Sequence, residues 1–289
     1  MGNRAPASAL ACTVRACGQP LTRGDRAWTC PGGHTFDIAR SGYVNLLQPQ
    51  DRRSASAGDS KASVEARARL LDLGVGRALV DDIVRRAAAL DVADRLPVVV
   101  DLGSGSGYVL GELAGVRSIE GIGIDLSTAA AEHAAHTFPT LTWVVANADR
   151  RLPLLDHSVS ILVSVHGRRN PSECARALKT NGWLLVAIPA PDDLVELRER
   201  VQGARVERDR GDALLAEHAP FFTLRERGVV RERSRLDRDA LKDLLRGTYR
   251  GERRRDAERV DALGDLDVTL ASEVFLFTAL PSPLAPSAS

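Results

Sequence analysis

Four residues near the start of the chain, Cys12, Cys17, Cys30 and His34, restrict its folding most, because their spacing is C-x4-C-x12-C-x3-H. A tetrahedral zinc ion takes thiolate and imidazole ligands, usually from two short knuckles. Cys12 and Cys17 would form one knuckle and Cys30 and His34 the other, with Pro31-Gly32-Gly33 supplying the sharp turn. The 12 residues between the knuckles suit a β-hairpin with Leu21-Thr22-Arg23-Gly24-Asp25-Arg26 at its tip. Residues 10–47 are too few to bury a stabilising core unaided, so such a segment needs a staple. Four protein ligands close the coordination sphere, which makes the expected metal structural rather than hydrolytic. The competing reading is a chance cluster of reduced cysteines.

The whole chain has 289 residues, 44% of them hydrophobic, enough for one large or two modest domains. No stretch approaches the ~18 continuous apolar residues of a membrane span. The opening MGNRAPASALACTVRAC lacks the apolar core of a secretory signal. These features predict a cytoplasmic protein with no membrane partner, and in a reducing compartment a Cys–His cluster favours metal over disulfides. Net charge is only +1, but it is unevenly spread. Residues 1–53 carry seven Arg against three Asp, and residues 97–195 carry seven basic against ten acidic side chains. Residues 196–260 return to 18 basic against 14 acidic. Only three of the 39 basic residues are Lys. Arginine suits bidentate phosphate contacts; genomic base composition is the plain alternative.

Gln48 to Ser63 is polar and rich in Ser and Ala, and reads as a linker. Apolar spacing from Val64 to Leu90 predicts two helices separated near Gly74-Val75-Gly76. Pro97 then introduces Val98-Val99-Val100, a β-branched run suited to a buried parallel strand. Alternation follows: a glycine turn, helix Tyr108–Ala114, strand Ser118–Ile124, helix Thr128–Thr137, and strands Thr142–Ala146 and Val159–Val165. Helix Pro171–Leu178, turn Lys179–Gly182 and strand Trp183–Ile188 close the series. That rhythm predicts a doubly wound α/β sheet. Residues 191–289 read as charged helices ending in late strands over Val268–Leu280. The expected division is a zinc-binding ribbon at 1–50, linker and helices at 51–95, and a ligand-binding α/β domain at 96–289.

Gly103, Gly105 and Gly107 permit a tight strand-to-helix turn and close approach of backbone amides to a ligand. Asp125 follows Gly107 by 18 residues, near the ~20 at which an acid meets a ribose. On this evidence NAD and S-adenosylmethionine (SAM) are both open. The pattern is G-x-G-x-G rather than the dinucleotide G-x-G-x-x-G. Asp101, two residues before the first glycine, resembles the acid of class I SAM-dependent methyltransferases that orients the methionine ammonium. Asn147-Ala148-Asp149-Arg150-Arg151-Leu152-Pro153-Leu154 resembles their adenine-contacting stretch, and Ala177–Trp183 the helix–turn–strand after the fourth strand. The resemblance implies SAM contacts from Asp101, Gly103, Ser104, Gly105, Gly107, Asp125, Leu126, Asn147 and Ala148.

The block His34-Thr35-Phe36-Asp37-Ile38-Ala39-Arg40-Ser41-Gly42-Tyr43-Val44-Asn45-Leu46-Leu47 closely resembles the segment after the zinc knuckle in RlmA-type 23S rRNA (guanine-N1)-methyltransferases. That family includes actinobacterial members protecting their producers from macrolides such as tylosin. Gly58-Asp59-Ser60, Glu65-Ala66-Arg67, Leu70-Leu71-Asp72, Arg169-Asn170-Pro171 and Pro189-Ala190-Pro191 with Leu194, Glu196 and Leu197 extend the likeness, which covers Cys12 to Leu197. The resemblance implies a class I methyltransferase with an N-terminal zinc ribbon. It would act as a homodimer on N1 of a guanine in a 23S rRNA hairpin loop, and the ribbon would help hold the RNA. Trp28, Phe36 and Tyr43 are then either base-stacking residues or the ribbon's miniature core. The chain departs from the family pattern in four places. Val75-Gly76 replaces a His-Tyr pair, His166-Gly167-Arg168 replaces aromatic-Ala-Pro, Gly247-Thr248-Tyr249-Arg250 replaces Pro-x-x-Trp, and C-x4-C replaces C-x2-C.

Guanine N1 carries a proton, so methylation there needs an acceptor. His166, at the C-terminal end of a predicted strand beside the ligand crevice, is the first candidate. Asp149 is the second, unless it merely caps the adenine pocket. Arg168 and Arg169 read as phosphate contacts or as a solvated loop, and Cys174 as a core residue. A different class of function competes: a zinc-dependent RNA-binding protein with an impaired methyltransferase domain. A small-molecule methyltransferase has little use for a ribbon flanked by Arg.

Overall fold

Near-continuous Val, Ile and Leu runs can be buried on both faces only if helices cover both sides of the sheet they form. In the computed structural model, which describes residues 9–15, 17–49, 58–202, 209–248 and 264–280, they do so. The large sheet contains β4 (Val44–Asn45), β5 (Val98–Leu102), β6 (Glu120–Asp125), β7 (Thr142–Val145), β8 (Val159–Val165), β9 (Leu178–Pro189), β10 (Phe222–Leu236) and β11 (Leu266–Ala279). Their order is β10-β11-β9-β8-β5-β6-β7-β4. Pairings from β4 to β9 are parallel, and β11 runs antiparallel to both its neighbours. The helices are α1 (Lys61–Asp72), α2 (Arg77–Ala89), α3 (Tyr108–Val116), α4 (Thr128–Thr137), α5 (Pro171–Ala177), α6 (Val195–Gln202), α7 (Gly211–His218) and α8 (Arg238–Thr248).

A second, three-stranded sheet has the order β1 (Thr22–Arg23), β2 (Ala27–Thr29), β3 (Thr35–Asp37). Its hairpin turns where the Gly24 N–H donates to the Ala27 carbonyl at 2.8 Å. Trp28 stands opposite Phe36, and both are buried. The small sheet is not separate in packing from the large one. Val44 pairs with Val144 and Leu10 with Leu154, while the Ala11 N–H reaches the Pro153 carbonyl at 2.9 Å. Leu10, Leu21, Trp28 and Leu46 share one apolar cluster with Val100, Ile122 and Leu162.

Several expectations need correcting. The segment read as charged helices contains β10, a 15-residue strand at the sheet edge. Its Arg and Glu side chains are mostly exposed while β11 satisfies one side of its backbone, and charge on an edge strand discourages further pairing. The Lys179–Gly182 turn lies inside β9 as a register irregularity between Leu178 and Trp183, not before it. Helix α1 begins at Lys61, within the expected linker, because Ser60 accepts a hydrogen bond from the Ser63 N–H at 3.2 Å and caps it. Linker residues 50–57 and the Tyr249-Arg250 departure lie outside the described residues. Gly76 stands at the N-terminus of α2 at φ 85°, and Glu232 of β10 caps that helix through the Gly76 and Ala78 N–H groups at 2.9 and 3.1 Å.

Candidate active site and metal knuckle

The metal cluster is assembled by two turns held in place by backbone. The Cys12 N–H donates to the Gln19 carbonyl and the Cys17 N–H to the Val14 carbonyl, while Cys30 follows β2 and His34 precedes β3. The ligand atoms of Cys12, Cys17, Cys30 and His34 all lie within 4.8 Å of one another. Bond lengths of about 2.3 Å to sulfur and 2.0–2.1 Å to nitrogen give tetrahedral edges of roughly 3.8 Å for S–S and 3.5 Å for S–N. Cys17 Sγ and Cys30 Sγ stand 3.8 Å apart, and His34 Nδ1 lies 3.5 and 3.4 Å from the sulfurs of Cys12 and Cys30. The donor set and spacing therefore fit zinc. Burial pushes the Cys12 thiol up to about 12. At Cys30 burial acts in the same direction, but hydrogen bonds around His34 outweigh it and bring the thiol down to about 7.

The other cluster sits beyond the C-terminal edge of the large sheet, where β5 leads by α3 to β6 on one side and meets β8 on the other. Gly103, Gly105 and Gly107 all have positive φ, at 77°, 54° and 85°. At Gly107 this frees an N-terminus for α3, and an added Cβ would lie 2.6 Å from the Trp143 ring. At Gly105 an added Cβ would meet nothing within 4 Å, so the turn faces open space. Ser104 is buried beneath it, its N–H 3.2 Å from the Ile124 carbonyl. Asp125 braces the turn, accepting from the Gly105 N–H at 2.9 Å and the Ser127 N–H at 2.8 Å. Leu126 is half-buried beside it.

Asp101 is 2% exposed, and its Oδ1 has no hydrogen-bond partner. Burial, with the Asp125 charge adding to it, raises its carboxyl to about 7. A buried acid without a donor is costly unless a ligand supplies one, so the site fits a ligand presenting an ammonium group. Asn147, two residues beyond β7, is buried and accepts from the Asp149 N–H at 3.0 Å, with Ala148 packed against the core.

His166 immediately follows β8, with φ 52°. Its Nε2 lies 2.9 Å from Ser272 Oγ of β11, and its side chain reaches solvent along the crevice. Surrounding protein and the Arg67 charge lower the imidazole from its ordinary value, so the ring is neutral near pH 7. Asp149 is ion-paired with Arg168 at 3.0 Å. Arg67 and Asp59 enter here although the sequence marked them only as parts of similar blocks. They form an ion pair; Asp59 O accepts from Ser127 Oγ at 2.6 Å, and Arg67 Nη1 donates to Gly247 O at 3.1 Å. Nothing in their spacing signals this, because α1, α4 and α8 meet only in three dimensions.

Ligands of open α/β sheets bind where the strand order reverses, and here that place offers an unpaired buried acid under a glycine turn. The large domain is that of a class I SAM-dependent methyltransferase. Residues 99–182 match the family model described as methyltransferase domain, and residues 11–55 match the one described as RlmA, N-terminal, a zinc ribbon. The 23S rRNA (guanine(748)-N(1))-methyltransferase of Streptomyces fradiae is 40% identical over 230 residues, covering 78% of this chain and 80% of that protein. A Micromonospora griseorubida protein bearing a 23S rRNA (guanine-N(1)-)-methyltransferase name is 38% identical, covering 68% and 71%. The chain belongs to this RlmA-type 23S rRNA (guanine-N1)-methyltransferase family, and its cofactors are SAM and a structural zinc ion.

Among solved structures, YcgJ of Bacillus subtilis superposes with a TM-score of 0.50 at 15% identity, covering 70% of this chain and 100% of that one. A chain from the complex of the Haloferax volcanii Trm112 methyltransferase activator with a methyltransferase gives 0.50 at 19% identity, covering 78% and 100%. Both show the fold alone. Among the described residues no helix is long and apolar enough to cross a membrane.

Proposed function

We propose that the chain methylates N1 of a guanine in a hairpin loop of 23S rRNA, acting in the cytoplasm as a homodimer. Macrolide resistance is a consequence of that modification to be tested in cells. The observation that most supports this reading is the partnerless Asp101 oxygen under a glycine turn, in a sheet to which a four-ligand ribbon is stitched. SAM, when bound, supplies a methyl group activated on a sulfonium. Asp101 would hold its ammonium, Gly103, Ser104, Gly105 and Gly107 would line it, Asp125 and Leu126 would meet the ribose, and Asn147 and Ala148 the adenine.

His166 is the favoured proton acceptor. Its neutral ring can take up the N1 proton as the new bond forms. Asp149 is the second choice, since Arg168 already engages one of its oxygens. A hairpin loop exposes the base edge that a duplex hides. Burial of Trp28 and Phe36 favours the miniature-core reading over base stacking for both. The exposed Arg15, Arg23, Arg26 and Arg40 are left for phosphate contact.

Primer extension on 23S rRNA from cells with and without the gene tests the reading, because methyl at N1 blocks pairing and stops reverse transcription. A gene-dependent stop at a guanine is expected; its absence, with SAM binding absent by calorimetry, leaves the RNA-binding alternative.

A further inference from the structure

The loop after β8 carries His166, Gly167 and Arg168 to the mouth of the crevice, and two side chains outside the crevice fix its course. Arg169 donates through Nη1 to the Gly167 carbonyl at 3.3 Å and through Nε to His218 Nε2 at 3.1 Å. His218, the last residue of α7, is 0% exposed. Its Nδ1 lies 2.8 Å from the Leu214 carbonyl, which can only accept, so Nδ1 carries the ring proton. Nε2 is then a bare lone pair buried in protein, and a guanidinium N–H satisfies it. The ring is pinned by stacking on Phe277 at 5.4 Å and by Phe222 at 5.9 Å.

The loop being held has no slack. A Cβ on Gly167 would lie 2.4 Å from the Leu102 carbonyl, and one on Gly103 would lie 3.0 Å from Gly167 Cα. Gly167, the residue after His166, is thus pressed against the glycine turn from one side and tethered through its carbonyl by Arg169 from the other.

We propose that Arg169 is a positioning residue for methyl transfer and that neutral His218 is the buried acceptor that orients it, together locking the Gly167–Arg168 peptide, one residue beyond His166, against the cofactor turn. The inference rests on the SAM-dependent reading above. Neither side chain touches the reacting atoms; they act through the loop that bears His166. A guanidinium fork is needed because one group must serve two acceptors in different directions, which a lysine ammonium on a flexible stem does poorly.

Three full-length variants test it. His218→Gln keeps an acceptor for Arg169, His218→Phe fills the site without one, and Arg169→Lys keeps the charge without the fork. Steady-state methylation of a 23S rRNA hairpin and hydrogen exchange of the 166–170 amides are measured on each. His218→Phe and Arg169→Lys are expected to lower kcat about 10- to 100-fold, the scale of a small misplacement, with KM for RNA nearly unchanged and loop exchange faster. His218→Gln is expected to restore both. Wild-type kcat and loop protection in a folded His218→Phe protein would overturn the proposal, as would failure of Gln to rescue. If the wild-type protein neither binds SAM nor methylates, the parent reading fails. The exchange data then still decide whether the lock exists.

Discussion

The ribbon and the large sheet solve the problem of stability by opposite means. The ribbon has strands of two or three residues, a buried Trp28–Phe36 pair and four ligands that only a cation can reconcile. The sheet has β5, β6 and β8 buried over nearly their whole length, with helices on both faces. A ribbon with strands this short leans on its ion and on the sheet it packs against, whereas the redundant core of the sheet can carry an unfavourable group. Hence Asp101, a buried acid with no partner for Oδ1, stands at the end of β5 and not in the ribbon.

The sharpest way to break this contrast is to remove the metal. Structural zinc contributes apparent binding energies of about 10–16 kcal/mol in small fingers. Chelation or Cys30→Ser is therefore expected to unfold the ribbon, read as loss of the buried Trp28 fluorescence, while far-ultraviolet dichroism of the sheet largely persists. An unchanged Trp28 signal without zinc would erase the distinction.

Asp101→Asn should have effects of opposite sign. With the carboxyl raised from 3.8 to about 7, the ionised group destabilises the ligand-free fold. That penalty is absent below the unfolded pKa and complete above about pH 7. The substitution should therefore stabilise the ligand-free protein by up to about 4 kcal/mol above pH 7 and by almost nothing near pH 4. It should also weaken SAM binding at least about tenfold through loss of a charge-assisted contact. Paired urea melts across pH and calorimetry would show both; a destabilised Asn variant contradicts the account.

Gly107→Ala tests the sheet's tolerance of strain. Positive φ and the Trp143 ring 2.6 Å from the new methyl predict a loss of about 2–4 kcal/mol in denaturant melts. Smallest is Glu232→Ala, which uncaps α2 from across the chain and should cost about 1 kcal/mol without altering SAM affinity.

The same contrast explains what the sequence could reveal. Helix Thr128–Thr137 and strand Val159–Val165 have the expected bounds because apolar periodicity defines both. The Cys–His spacing placed four ligand atoms together for the same reason: local turns do the work. Asp101, the glycines and Asp125 meet as expected because one βαβ unit carries them all. What escaped is non-local. Alternating Arg and Glu in β10 resemble a solvated helix until β11 pairs with them. The Glu232 cap, the Arg67–Asp59 pair and the Arg169–His218 contact join residues whose neighbours in sequence give no hint of their partners.

The stitching of Leu10 to Leu154 and Val44 to Val144 has a consequence during synthesis. At ~5–20 residues per second, the first member of each pair leaves the ribosome on the order of ten seconds before its mate. Through that wait the nascent hairpin has only its knot to keep Leu10, Leu21 and Leu46 in arrangement. A chain translated without zinc at hand would offer β7 no finished neighbour, leaving a bare strand edge of the kind that recruits other chains.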